Sequence, residues 1–130
     1  MNDSTPKPQL LVVDDDYEIT NVLKELLVDF HYEVDVAYDG LQALGKIKAK
    51  TYDAILCDYM MPVMNGQVLY ETLQQSHPEV TSRFIFITGN ARTPEVASFF
   101  HTFRIPYLDK PFRVTEVLQL VDKVLQTSRN

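Results

Sequence analysis

The chain of 130 residues has one cysteine, no tryptophan and only four glycines, and its 12 Lys and Arg are outnumbered by 18 Asp and Glu. Each scarcity excludes something. A single thiol, Cys57, rules out an intramolecular disulfide and a zinc cluster built on cysteine. A formal net charge of −6 argues against direct nucleic-acid binding, which draws its affinity from Lys and Arg neutralising phosphates. No apolar run exceeds about five residues, far below the roughly 20 that cross a bilayer, so no membrane span is expected. Residues 1–9 carry Pro6 and Pro8 and no apolar core, so they read as a flexible lead-in rather than a signal peptide. Residues 128–130 read as a short tail. The expected setting is the cytoplasm. A length of 130 residues suits one domain, taken here as residues 10–127.

What is present is an alternation of two patterns. Leu10–Val13 is wholly apolar and ends in Asp14, Asp15 and Asp16. Ile19, Val22, Leu23, Leu26, Leu27 and Phe30 then recur at helical spacing. Glu33–Ala37 alternates like a strand, and Asp39-Gly40 turns into a helix with Leu41, Leu44 and Ile47. Ala54–Cys57 is apolar and ends in Asp58. Val68, Leu69 and Leu73 mark a helix that stops before Pro78. Phe84–Ile87 closes in Thr88-Gly89. Thr93-Pro94 suits a helix start, with Thr at the cap and Pro at the first helical position. Val96, Phe99, Phe100 and Phe103 give that helix its apolar side; the three Phe read mainly as core, with room for one on a partner face because three large aromatics around one helix cannot all point inward. Ile105–Leu108 is a fifth strand, placed at a sheet edge by Pro106. Val114, Val117, Leu118, Val121, Val124 and Leu125 share one face of a last helix.

Five strand–helix units predict an α/β, doubly wound (βα)5 fold with a five-stranded parallel sheet covered by helices on both faces. Such a sheet brings the carboxyl ends of its strands to one edge, where ligands bind. Asp14, Asp15, Asp58, Thr88 and Lys110 all fall at those ends. Three carboxylates in one cleft repel each other and call for a cation. An all-oxygen donor set points to a hard ion, Mg2+ by preference or Mn2+. The chemistry such a site suits is transfer of a phosphoryl group to an aspartate, with Lys110 and the Thr88 hydroxyl meeting the charge on the phosphoryl oxygens.

The motifs Leu-Leu-Val-Val-Asp14-Asp15-Asp16, Leu56-Cys57-Asp58-Tyr59-Met60-Met61-Pro62-Val63-Met64-Asn65-Gly66, Phe86-Ile87-Thr88-Gly89 and Tyr107-Leu108-Asp109-Lys110-Pro111-Phe112 stand in this order along the chain. Together they resemble the receiver domain of two-component response regulators, over Leu10 to about Gln126. The resemblance implies a flavodoxin-like sheet of order 2-1-3-4-5. It implies that Asp58 accepts the phosphoryl group, that Asp14, Asp15 and Asp58 hold Mg2+, and that Met60 adds its backbone carbonyl. Thr88 and Tyr107 would be the switch pair, Tyr107 turning inward when Thr88 moves, and the Lys110-Pro111 bond would be cis. Met60 and Asn90 occupy positions that tune dephosphorylation. The donor would be a histidine kinase or a histidine phosphotransfer domain. The output partner, of unknown identity, would bind the face formed by helix four, strand five and helix five. The stretches Leu69-Tyr70-Glu71, Phe86-Ile87-Thr88-Gly89 and Pro106-Tyr107-Leu108 are similar to receivers fused to hybrid histidine kinases.

The chain departs from the family pattern at Asn65, where Asp is usual, and at His31 and Arg104, where Gly often ends a helix. Non-Gly residues resist positive φ, so those helix ends are expected to differ. Two other classes compete. Asp14-Asp15-Asp16 contains the Asp-x-Asp of a haloacid-dehalogenase-like phosphohydrolase with Asp14 as nucleophile, but only Glu116 and Asp122 follow Lys110 as acids, both within the last helix pattern. A flavodoxin-type binding module would need a Ser/Thr/Gly-rich phosphate loop after the first strand. Simpler roles also fit single residues: Asp16 as a helix cap, Cys57 as a small buried hydrophobe, and His31, His77 and His101 as surface residues.

Overall fold

A computed structural model describes residues 6–128 of the chain. The elements run β1 (Gln9–Val13), α1 (Tyr17–Asp29), β2 (Glu33–Ala37), α2 (Gly40–Ala49), β3 (Ala54–Cys57), α3 (Gly66–Ser76), a 3₁₀ segment Pro78–Arg83, β4 (Phe84–Thr88), α4 (Pro94–Phe103), β5 (Tyr107–Asp109) and α5 (Val114–Ser128). The strands pair in parallel in the order β2-β1-β3-β4-β5. This is the doubly wound parallel sheet that the alternating pattern implies, in the flavodoxin-like order that the resemblance implies.

The strand sequences explain the two-sided burial. Side chains alternate across a sheet, so β1 sends Leu11 and Val13 to one face and Leu10 and Val12 to the other. The first pair joins a cluster with Ile55, Phe84, Phe86, Phe99 and Phe100 under α2, α3 and α4. The second joins Leu23, Leu27, Ile85, Val117 and Val121 under α1 and α5. Polar residues set the helix starts. Asp16 accepts from the N–H groups of Glu18 and Ile19, Asp39 from Gln42 and Asn65 from Val68, each satisfying donors that have no partner within the helix. Asp16 is thus a cap. Thr93 stands at the cap of α4 with Pro94 following, but its hydroxyl makes no capping bond.

Several boundaries differ from the sequence expectation. Gln9 is not lead-in. It begins β1, donating its N–H to Asp53 Oδ2 at 2.7 Å and accepting from the Asp53 N–H at 2.7 Å. Residues 1–5 of that lead-in, and 129–130 of the tail, lie outside the described residues. Ser128 closes α5. The fifth strand starts at Tyr107 rather than Ile105, because Ile105 completes the end of α4 and Pro106 has no N–H for a ladder; its carbonyl still accepts from Phe86. The segment after Pro78 coils into a 3₁₀ turn that the sequence pattern did not reveal. Within the helices, Val22, Leu41 and Val68 face solvent although they match the apolar period. Phe103 is the α4 phenylalanine left at the surface.

The helix ends at His31 and Arg104 keep the usual geometry without glycine. Their φ values are 69° and 53°. Each is followed by a residue whose N–H reaches back into the last turn, Tyr32 to Leu27 at 3.1 Å and Ile105 to Phe100 at 2.9 Å. This is the Schellman pattern. Its hydrogen bonds and the apolar contact of Ile105 offset the left-handed cost, which is about 1–2 kcal/mol for a residue with a Cβ.

Gly66 opens α3 against the strand ends. A Cβ there would come within 2.5 Å of Phe86 Cε1 and 2.6 Å of the Asp58 carbonyl oxygen. Gly45, inside α2, faces nothing within 4 Å. Gly66→Ala is therefore expected to cost about 1–3 kcal/mol by overpacking, and Gly45→Ala to gain up to about 1 kcal/mol by helix propensity. Urea midpoints of the two variants measure both signs.

Candidate functional site

The sheet ladder continues one residue past three strands and fixes the backbone of the polar residues beyond them. Asp14 N donates to Ala37 O at 3.1 Å, Asp58 N to Val13 O at 2.9 Å, and Lys110 N to Thr88 O at 3.0 Å. The backbones are thereby registered while the side chains meet at the carboxyl edge. Lys110 Nζ donates to Asp14 Oδ2 at 2.9 Å and to Asp58 Oδ2 at 3.2 Å, bridging residues that lie on different strands. Carboxylate oxygens of Asp14, Asp15 and Asp58 all lie within 4.8 Å of one another. Asp14 and Asp58 are buried and Asp15 is exposed, so the cluster has a floor and an open side.

The electrostatics follow from that burial. Desolvation pushes the Asp14 carboxyl above its usual range, outweighing the Asp16 N–H on Oδ1 and the Lys110 ammonium; the Asp58 charge adds to the rise. Burial works against the charge on Lys110, but the hydrogen bond to Asp14 and the charges of Asp58 and Asp14 prevail and hold its pKa above the ordinary lysine value. The lysine is thus held in its charged form between the two buried acids. The Cys57 thiol, buried and close to the same acids, is pushed well up and stays protonated. It donates to the Asp58 carbonyl at 3.1 Å, besides filling core space as expected.

Thr88 is fully buried at the end of β4. Its hydroxyl accepts from Asn90 N at 3.2 Å and lies 3.4 Å from Asn90 Oδ1. Tyr107, two residues before Asp109 on β5, is 44% exposed, with its ring stacked on Phe100 at 4.7 Å. The Lys110-Pro111 bond is cis. Met60, in the loop after Asp58, is exposed. The measured contacts thus unite Asp14, Asp15, Asp58 and Lys110; Thr88 joins through its carbonyl, and Tyr107 stands apart on the surface.

Two features of the site escaped the sequence reading. Val63 has φ 70°, and Met64 N donates to Pro62 O at 2.8 Å, which makes a γ-turn with positive φ in the loop after Asp58. A β-branched residue gives no hint of such a conformation. Tyr59, next to Asp58, donates its hydroxyl to Gln67 Oε1 at 2.6 Å and faces Phe86, Phe99 and Phe100. Its aromatic character is visible in the sequence, but its partners are on distant elements.

Five parallel strands in this order, with three acids and a lysine at the carboxyl edge, make a flavodoxin-like fold with a charged cleft. The model of the response regulator receiver domain family matches residues 10–122, and the chain belongs to that family. It is a receiver domain of the two-component type. It is 30% identical over 118 residues to the response regulator ArlR of Staphylococcus saprophyticus, covering 91% of this chain and 52% of that protein. It is 32% identical over 110 residues to the transcriptional regulatory protein DltR of Streptococcus agalactiae, covering 85% of this chain and 48% of that protein. The chain thus spans about half the length of the first curated relatives it matches. Among solved structures, a CheY-like receiver domain protein from Methanospirillum hungatei superposes with a TM-score of 0.87 at 27% identity, covering 95% of this chain and 98% of that one. The chemotaxis protein CheY4 of Vibrio cholerae gives 0.81 at 30% identity, covering 92% and 100%. Family membership displaces the phosphohydrolase reading. Asp14 also has both oxygens engaged, Oδ1 with Asp16 N and Oδ2 with Lys110.

A carboxyl whose folded pKa lies above its unfolded value stabilises the fold at low pH and loses that contribution as pH rises through the folded pKa. Asp14 is such a group, and Asn at that position does not titrate. In metal-free buffer, Asp14→Asn is expected to gain in melting temperature relative to the parent chain between pH 4 and pH 7. Thermal melts across that range measure the difference, and a gap that stays flat would contradict the assigned shift.

Proposed function

We propose that the chain accepts a phosphoryl group on Asp58 from a phosphohistidine donor, a histidine kinase or a histidine phosphotransfer domain, and that residues 10–127 form the working unit. The observation that carries this reading is the Lys110 bridge between Asp14 and Asp58, with an Asp15 oxygen in the same cluster. One Asp58 oxygen attacks phosphorus, the phosphorus–nitrogen bond breaks, and its electron pair returns to the imidazole.

The donor set fits a divalent cation. Three carboxylates, all oxygen donors, approach each other closely at an open cleft, and Mg2+ favours such ligands. Asp14, Asp15, Asp58 and the Met60 carbonyl are the residues that would hold it, Mn2+ being an acceptable substitute. Bound there, the ion supplies positive charge against the phosphoryl oxygens. Lys110 turns its ammonium from Asp58 to a phosphoryl oxygen as a point charge. The Thr88 hydroxyl exchanges its Asn90 contacts for another phosphoryl oxygen, and Tyr107 follows it inward. The chain thereby promotes its own phosphorylation and slow dephosphorylation, without turning over an external substrate. The signal leaves through α4, β5 and α5. The site of action in this reading is the cytoplasm. No helix among the described residues is long and apolar enough to cross a membrane.

Incubation with acetyl phosphate and Mg2+ is expected to give acid-labile phosphate on the parent chain and none on Asp58→Asn. Undiminished labelling of the variant would overturn the assignment. Met60 offers no polar group to orient a water, whereas Asn90 does. Met60→Asn is therefore expected to change the hydrolysis rate of the phosphorylated form, read from loss of label with time, and an unchanged rate would remove Met60 from the tuning role.

A further inference from the structure

The ring of Tyr107 is not simply free at the surface. Tyr107 pairs with Phe86 in the β4–β5 register, so its side chain lies on the α4 face of the sheet, the face that Phe86 and Thr88 share. There it stacks on Phe100 with centroids 4.7 Å apart and planes inclined by 22°. Phe100 is itself 2% exposed. It touches Phe86 at 5.2 Å and meets Tyr59 edge-on at 6.2 Å and 88°. Tyr59 immediately follows Asp58, and its hydroxyl is tied to Gln67. A continuous aromatic path therefore runs from the Asp58 backbone through Tyr59 and Phe100 to Tyr107, and it does not pass through Thr88.

We propose that Phe100 is a positioning residue for Tyr107: its stack holds the tyrosine ring outward, and Tyr59, the residue next to Asp58, links that stack to the acid cluster. This rests on the reading of Tyr107 as a moving aromatic. It adds that Tyr107 starts from a defined partner rather than from free solvent, and that inward motion must break an aromatic pair. The position of the ring matters for recognition. Tyr107 is one wall of a groove of about 550 Å³ whose other walls include Ala97, His101, Arg104 and Ile105. When the ring leaves Phe100, that wall leaves with it, so the stack sets the groove that the resting form presents. A buried hub with two discrete arrangements on one side is the kind of element that couples two sites.

The test uses aromatic NMR on the full chain. In the resting protein, Tyr107 and Phe100 ring protons are expected to show cross-peaks to each other; their absence overturns the proposal. Phe100→Leu keeps an apolar side chain but removes the ring. Without phosphorylation, it is expected to raise the ratio of inward to outward Tyr107 about two- to tenfold, the equivalent of one aromatic pair. The shift of Tyr107 resonances toward their position in beryllofluoride and Mg2+ measures that ratio. Tyr107 resonances that stay at the resting position in Phe100→Leu overturn the proposal. Should that variant fail to fold, Phe100→Met carries the same expectation with a closer volume match. The two readings fail separately. If beryllofluoride leaves Tyr107 unmoved in the parent chain, the switch role of Tyr107 fails, while the ring cross-peaks of the resting protein still decide whether Phe100 holds the ring.

Discussion

Everything at the carboxyl edge depends on one ammonium group. Lys110 meets two aspartates from two other strands, and without it the sheet would assemble buried like charges against each other. Coulomb repulsion between such groups rises steeply as water is excluded. The parallel sheet cannot avoid the problem, because its topology delivers every strand end to the same place. The lysine follows β5, the last strand in sequence, so the two buried acids gain their counter-ion only when β5 lies beside β4.

That arrangement leaves the site charged but not idle. The Asp14 carboxyl is held above its usual pKa by burial, and Lys110 is held above its own by the acids. The pair is matched while nothing else is bound, and an arriving phosphoryl group competes for a lysine already engaged. Behind this polar layer the support is aromatic. Tyr59, Phe86, Phe99 and Phe100 form a connected set beneath the loop that follows Asp58, and such rings pack in a few preferred geometries rather than sliding freely. The polar edge and the α4 surface are thus joined by groups that move in steps.

Much of the fold and of the cleft could be read from local sequence. Short apolar runs on both sheet faces gave five strands, and the acids following two of them gave the cluster. Those signals are local and periodic, so one chain suffices to see them. What stayed hidden depends on distant partners. Ile105 looks like a strand residue until its N–H is found bonded to Phe100 at the end of α4. Val22 and Leu41 fit the helical period, yet they look outward because Leu23, Leu27, Ala43 and Ile47 fill the contact faces. The left-handed turns at His31, Val63 and Arg104 are written against residue preference and are fixed by hydrogen bonds formed in the folded chain. The family resemblance singles out Tyr107, but its stack on Phe100 is a tertiary fact.

The brevity of β5 has a consequence for association. It contributes three residues at the rim of the sheet and is preceded by Pro106. A rim so short offers little free backbone for another chain to extend the sheet by strand addition. Visitors to that side must read side chains instead of peptide groups. Recognition there is consequently a matter of residue identity, which mutation can rewrite one position at a time, while the backbone template that would invite indiscriminate self-pairing is kept too small to use.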